Sequence, residues 1–98
     1  SYMFENYEKD ISLETIADHI GISYSYIRKI FIKIFGCSFT YYLNMIRTEK
    51  AAKLLETSNR TAYDIAISVG YKNEQSFYRN FKKYTGYTPI EYRRDRIG

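Results

Sequence analysis

The sequence predicts an all-α fold of about seven helices, forming two helix-turn-helix subdomains joined by a long central helix. The main observation is an internal repeat, because the segment 16–36 returns about fifty residues later as the segment 65–86. In both copies apolar residues recur at the helical spacing i, i+3, i+4, i+7. No stretch long enough for a β-strand alternates between apolar and polar residues. A repeat of this kind indicates that one supersecondary unit is used twice.

Length and charge fit a single small domain that meets a polyanion. The chain has 98 residues and a net charge of +4. Its first twenty residues contain five acids and one lysine, a net charge of −4, which leaves +8 for the remainder. Such a basic surface suits nucleic acid. No apolar run is long enough for a membrane helix, and no signal peptide is recognisable.

The segment 2–7 is predicted to be the end of a helix that packs onto the domain, because Phe4 and Tyr7 lie three residues apart. The first unit is predicted at about 12–36. Ser12 is an N-cap, and the helix after it has one apolar face, formed by Leu13, Ile16, Ala17 and Ile20. Gly21 ends this helix, because glycine adopts left-handed backbone angles at little cost. Ser23 caps a second helix at about 24–35, and Gly36 ends it. The predicted core positions of this second helix are Ile27, Ile30, Phe31 and Ile34.

A linking helix is predicted at about 39–57, after Ser38, and it contains no proline or glycine. Its length of about 28 Å follows from a rise of 1.5 Å per residue. The segment 58–60 ends it and could let the second unit swivel. That unit is predicted at about 61–86, with Thr61 and Asn73 as N-caps. Its second helix, at about 74–85, has the core positions Phe77, Phe81 and Tyr84. Thr88 and Pro89 start a short C-terminal helix at about 89–95.

The second helix of each unit displays a matched polar face once its core positions are removed. Arginine and lysine can donate to guanine, glutamine can pair with adenine, and lysines near a helix end suit phosphates. The predicted DNA-binding residues are Tyr24, Ser25, Arg28, Lys29, Lys33, Glu74, Gln75, Tyr78, Arg79, Lys82 and Lys83. The alternative for either helix is an ordinary solvated face. Ile32 also lies on the first face, where it could touch a thymine methyl group, pack on a partner domain or simply be tolerated.

Several ordered motifs resemble the signature of the AraC/XylS family of bacterial transcription regulators over essentially the whole chain. They are I11-S12-L13-x-x-I16-A17, R47-x-x-x-A51-x-x-L54-L55 and G70-Y71-x-x-x-x-S76-F77-x-R79-x-F81-K82-K83-x-x-G86-x-T88-P89-x-x-Y92-R93. The resemblance implies that two recognition helices, at about 24–35 and 74–85, enter adjacent major-groove segments of double-stranded DNA. It places base contacts on Tyr24, Ser25, Arg28, Lys29, Glu74, Gln75, Tyr78 and Arg79. Two residues depart from the family pattern: Ile32, where lysine is usual, and Tyr78, where a small residue is common.

The resemblance also sets expectations for the rest of the protein. Family members usually carry a sensory, receiver or dimerisation domain, and this chain starts at Ser1 without an initiator methionine. We therefore expect such a domain upstream, RNA polymerase as a further partner, and a location in the bacterial cytoplasm at the nucleoid. A single cysteine, Cys37, agrees with a reducing compartment.

Two other functions are weighed against DNA binding. An enzyme would need a nucleophile with its base or a metal cluster, and we predict no catalytic residue, no metal site and no cofactor. Cys37 could accept a methyl group, as in alkylation-repair proteins fused to domains of this family, and His19 could bind a metal; neither has a supporting cluster. The exposed faces of the two helices could instead bind a protein partner.

Arg47 interrupts the apolar stripe of the linking helix. A buried charge needs a partner, so we expect Arg47 to hold structure by bonding an acid or a helix end. Asp64, in the first turn of the second unit, is the candidate acid.

Overall fold

The computed structural model describes residues 2–97, which form seven α-helices and no β-strand. The helices are α1 (Tyr2–Asn6), α2 (Leu13–Ile20), α3 (Tyr24–Phe35), α4 (Phe39–Thr57), α5 (Ala62–Ser68), α6 (Glu74–Thr85) and α7 (Pro89–Ile97). Within this range no helix is both long and apolar enough to cross a membrane. The all-α prediction is confirmed, and α7 extends two residues beyond the predicted end.

Side-chain caps fix where the helices begin. Each predicted N-cap accepts a hydrogen bond from the backbone N–H three residues later, and these caps are Ser12, Ser23, Ser38, Thr61 and Asn73. Such bonds satisfy backbone donors that have no partner inside the helix. At α7 the cap is reciprocal, because the N–H of Thr88 donates to Glu91 Oε1 (2.9 Å) and the N–H of Glu91 donates to Thr88 Oγ1 (3.2 Å). This arrangement is a capping box.

The core consists of two clusters that share α4. The first cluster contains Met3, Leu13, Phe31, Phe39, Leu43 and Ile46. The second contains Ala51, Leu55, Ile65, Ala66, Val69, Tyr71, Phe77 and Phe81. The first half of α4 therefore packs in the first unit, and its second half packs in the second unit. The molecule is elongated, with extents of 48 × 23 × 22 Å.

The internal repeat extends into the third helix of each unit. The ring of Phe31 meets the ring of Tyr42 edge-on at 6.0 Å, and the ring of Phe81 meets that of Tyr92 in the same way at 5.4 Å. Both residues of the second pair lie fifty positions after those of the first. The start of α4 and α7 are thus equivalent, so each unit is a bundle of three helices.

The link between the units is anchored by Arg93 of α7. Its Nε donates to the carbonyl of Leu55 (3.0 Å) and its Nη2 to the carbonyl of Ser58 (3.1 Å). The hydroxyl of Ser58 donates to the carbonyl of Leu54 (2.7 Å). A cation beside the C-terminal carbonyls of a helix also interacts favourably with the helix dipole. The segment 58–60 is therefore held at its first residue by α4 and α7.

Four predicted core positions are not fully buried and lie outside both core clusters, namely Ile20, Ile30, Ile34 and Tyr84. Ile30 is half-buried at the edge of an open apolar groove. Ile20 is 60% exposed and Ile34 is 69% exposed, because each lies in the last turn of its helix, where packing against neighbours ends. Ile34 instead lines this groove beside α1, together with Phe4 and Phe35. Tyr84 is only half-buried, with its ring edge-on to that of Tyr41 at 5.0 Å.

Candidate nucleic-acid interface

The outer face of α3 carries polar and basic side chains that no element of the described chain covers. Phe31 is buried on the opposite face, while the exposed residues are Ser25, Arg28, Lys29 and Lys33. Ile32 lies among them with 43% of its surface exposed. Because positions 25, 28, 29 and 32 share one side of a helix, these side chains form a continuous stripe. We call this stripe the α3 face.

Tyr24 lies apart from the centre of the α3 face. It is exposed, and it borders a recess formed with the beginnings of α2 and α4, including Ser12, Glu14 and Thr40. Its side chain is therefore placed at the edge of the face, close to two other helix starts.

The outer face of α6 has the same arrangement with different chemistry. Gln75, Arg79, Lys82 and Lys83 are exposed, whereas Glu74 and Tyr78 are half-buried. The two half-buried residues and Gln75 line a shallow depression. Tyr78 leans on the second core cluster, with its ring edge-on to Phe77 at 6.1 Å. Burial, together with the nearby Glu74 carboxylate, raises the pKa of Tyr78 above its ordinary value. Arg79, the next residue, is exposed and lines a surface depression together with Tyr78.

The cations of the two faces are available to a ligand. Among residues 3–95, whose side chains the structure describes, the ion pairs are Lys72 with Asp10 (3.6 Å) and Arg94 with Asp95 (3.7 Å), and neither involves α3 or α6. In that range Lys83 is the one cation of α3 or α6 placed over a ring, with Nζ 5.7 Å from the centre of Tyr84. Unpaired, exposed cations on one face are what phosphate and base contacts require.

Thr88 adjoins the outer face of α6, which we call the α6 face, and was not predicted as part of the site. It lines a surface depression with Tyr78, Arg79, Lys82 and Lys83. One feature of the sequence pointed to Thr88. It lies fifty residues after Ser38, and each of the two residues is the N-cap of the third helix of its unit.

Arg47 bonds backbone carbonyls instead of Asp64. Its Nε donates to the carbonyl of Tyr7 (2.8 Å) and its Nη2 to that of Lys9 (3.0 Å), both just after the end of α1. Asp64 is occupied at its own helix start, where its N–H donates to Thr61 Oγ1 (3.1 Å). The Arg47–Asp64 pairing is therefore wrong. Burial lowers the pKa of Arg47 below its ordinary value, while Tyr71, Asp10 and Glu8 oppose that shift.

Comparison with known proteins assigns the family. Residues 16–95 match the model of a helix-turn-helix domain family. The fold matches the C-terminal domain of AraT, a response regulator from Geobacillus stearothermophilus, with a TM-score of 0.94 and 35% identity over 99% of this chain and 81% of that one. A probable AraC family transcriptional regulator from Rhodopseudomonas palustris matches with a TM-score of 0.85 and 26% identity, over 99% and 92% of the two chains. The chain belongs to the AraC-type helix-turn-helix family.

Family and fold are those of DNA-binding domains in transcription regulation, not those of enzymes. An HTH-type transcriptional regulator of Staphylococcus aureus, strain MSSA476, is 36% identical over 95 residues. That match covers 97% of this chain but 13% of the relative, so this AraC-type domain spans about an eighth of the relative's length. The DNA-binding domain of AdpA, solved in complex with a target DNA, shares the fold with a TM-score of 0.90 and 23% identity over 96% of this chain and 85% of that one.

Proposed function

We propose that this domain reads a bipartite site in duplex DNA, with α3 and α6 in adjacent major-groove segments. The observation that carries the proposal is the pair of exposed, unpaired basic faces at repeat-equivalent positions of the two units. A major groove is about 12 Å wide and accepts one α-helix. The elongated shape, 48 Å in its longest dimension, accommodates grooves that recur about every 34 Å on one side of DNA.

Each predicted residue has a proposed role. Arg28, Arg79 and Gln75 read base edges, because guanidinium and amide groups can form bidentate bonds with purines. Ser25 and Lys29 supplement base contacts on the α3 face. The remaining lysines bind phosphates, namely Lys33, Lys82 and Lys83. Tyr24, Glu74 and Tyr78 border the bases from the edges of the two faces, where Glu74 can accept from a cytosine amino group.

The domain is proposed as the output part of a larger bacterial regulator. Its match to about an eighth of a regulator's length supports an attached sensory, receiver or dimerisation domain. RNA polymerase is a proposed partner, because a DNA-bound regulator acts on transcription. The bacterial cytoplasm, at the nucleoid, is the proposed location, because the ligand is there.

Selection of binding sites from random duplexes tests the proposal. We expect an enriched sequence with two half-sites, and an affinity that falls steeply as salt rises, because bound lysines and arginines release counterions from DNA. A double variant, Arg28→Ala with Arg79→Ala, is the control and should enrich no defined sequence.

The rival function, a helical module that grips a protein, makes the opposite prediction. Enrichment of no sequence, with DNA affinity that changes little between low and high salt, would reject DNA reading. Incubation of the domain with methylated DNA, followed by intact mass, tests Cys37 separately; a mass gain of one methyl group would show an acceptor.

A further inference from the structure

The segment 3–11 crosses from one unit to the other. Met3 is buried in the first core cluster, and Ile11 packs against that same cluster. Tyr7, between them, packs against both clusters. Asp10 then pairs with Lys72 in the turn of the second unit at 3.6 Å. We call residues 3–11 the brace segment, because it contacts the first unit at both ends and the second unit in between.

Arg47 fastens the brace segment to the middle of α4. Its guanidinium donates to the carbonyls of Tyr7 and Lys9, both in the irregular chain after α1. Hydrogen bonds from a charged donor are stronger than those between neutral groups, and two bonds from one planar group fix orientation. Lys50, one turn further along α4, holds its Nζ over the Tyr7 ring at 5.9 Å.

The turn between α5 and α6 packs directly against the contact between Arg47 and Tyr7. Gly70 has φ +112°, and a Cβ there would lie 2.8 Å from Arg47 Nε and 2.8 Å from the carbonyl oxygen of Tyr7. Only glycine permits this approach at that backbone angle. The next residue, Tyr71, places its ring 5.4 Å from the Arg47 guanidinium and donates its hydroxyl to Asn44 Oδ1 (2.8 Å). Arg47 therefore contacts both the brace segment and the turn between α5 and α6.

We propose that Arg47 is a positioning residue, which locks the brace segment against the Gly70 turn and so sets the orientation of α6 relative to α3. The consequence for DNA binding rests on the proposed bipartite function. Without the bonds of Arg47, each unit keeps its own core cluster and its own exposed face. The distribution of angles between the two units, however, becomes broader. Binding to one half-site is then preserved, while simultaneous binding to two half-sites is lost.

The orientation can be measured without DNA by double electron–electron resonance. Spin labels on Glu14→Cys in α2 and Tyr63→Cys in α5, in a Cys37→Ser background, report the distance between units from exposed positions. We expect a single narrow distribution for the parent and a broader or displaced one for Arg47→Met, which keeps an unbranched side chain but has no donors. Arg94→Ala is the matched control, because its exposed guanidinium pairs with the adjacent Asp95.

Affinity for DNA supplies the second readout. Arg47→Met should lose about tenfold or more for a bipartite site, because two linked contacts become independent, and stay within about twofold for a single half-site. An unchanged distance distribution in folded Arg47→Met overturns the proposal, and so does equal loss on single and bipartite sites. Should Arg47→Met not fold, Arg47→Lys, which keeps the charge but lacks the planar guanidinium that bonds both carbonyls, applies the same test with the same two outcomes. If the parent binds no specific DNA, the bipartite function fails, while the distance measurement still decides the role of Arg47.

Discussion

At the residue scale, the outer faces of α3 and α6 are related in position but differ in chemistry. The repeat aligns Arg28 with Tyr78 and Lys29 with Arg79. In the first unit an arginine therefore holds the position that a half-buried tyrosine holds in the second. Because base preference depends on donor type and position, the two half-sites should differ in sequence, and the site as a whole should not be a direct repeat.

Arg28 and Arg79 should each control sequence preference in one half-site only. A bidentate guanine contact is worth about 1–3 kcal/mol, so Arg28→Ala or Arg79→Ala should weaken the selected site by that amount. Preference should flatten at one or two positions of the matching half-site, measured by repeating the selection with each variant. Equal weakening on random and selected DNA would instead make the substituted arginine a phosphate contact.

Ile32 should recognise a thymine methyl group. Its 43% exposure in the middle of the basic α3 face places an apolar side chain where base edges are expected. Burial of one methyl group is worth about 0.8 kcal/mol, so replacing the contacted thymine by uracil should cost the parent about fourfold in affinity. Ile32→Ala should lose this sensitivity. The control is Ile34→Ala, because Ile34 is exposed but lies off that face, and this variant should keep the preference for thymine over uracil. Equal affinity of the parent for thymine and uracil would exclude the contact.

At the element scale, each unit is completed by a third helix that the helix-turn-helix motif does not include. The start of α4 closes the first unit through Tyr42, and α7 closes the second through Tyr92. Tyr92 also donates its hydroxyl to Glu56 Oε1 (3.0 Å) of α4. The N-terminus of α7 borders the α6 face at Thr88, so its capping box helps to shape one edge of the candidate interface.

The capping box at α7 should make stability depend on pH through Glu91. Hydrogen bonds from Thr88, with the nearby charges of Lys82 and Arg94, hold the pKa of Glu91 below its ordinary value of 4.5. Because the pKa of Glu91 is lower in the folded state, the ionised carboxylate stabilises the fold fully above pH 4.5. This stabilisation is lost as the pH falls through the folded-state pKa. Glu91→Gln should therefore lower the melting temperature at neutral pH, and the difference from the parent should shrink in acid.

Glu14→Gln is the control for this pH effect. Glu14 also lies in the first turn of its helix, but there the N-cap bond is made by Ser12 and Thr15. Its substitution should change the melting temperature less at neutral pH. A Glu91→Gln difference that stays constant from neutral pH to acid would show that ionisation of Glu91 does not support α7.

At the scale of the whole molecule, α4 fixes the separation of the two units. It is 19 residues long, about 28 Å, and both core clusters are built on it. The segment 58–60, which could have acted as a swivel, is anchored through Ser58 to α4 and α7. The structure therefore favours a rigid spacer over a flexible connection.

A rigid spacer predicts that the distance between half-sites cannot be adjusted. Insertion of about five base pairs between them turns one groove to the opposite side of the duplex, since one turn takes about 10.5 bp. Affinity should fall to that of a single half-site, a loss of about a hundredfold or more, measured by titration of labelled duplexes. The same insertion outside the half-sites should have no effect. Tight binding with both half-sites protected from cleavage would show that the connection bends.

The helix boundaries were predictable because capping is local. Ser23 and Gly36 bound α3 through contacts within four residues, and the same holds for Asn73 and Gly86 at α6. Exposure was harder to predict at helix ends. The spacing of Ile34 indicates the direction of its side chain, but whether another helix covers it depends on where that helix stops.

The sequence by itself determined the seven helices, the duplicated unit and the two displayed faces, because each depends on periodicity and on neighbours within one or two turns. Only the tertiary structure decided what Arg47 binds. Its partners lie about forty residues away, and they are backbone carbonyls, which have no signature in the identity of Tyr7 or Lys9. The placement of Thr88 beside the α6 face was decided in the same way, by how α7 packs on its neighbours. Contacts between distant segments depend on the packing of whole helices, so the orientation of the two units could not be derived from local patterns.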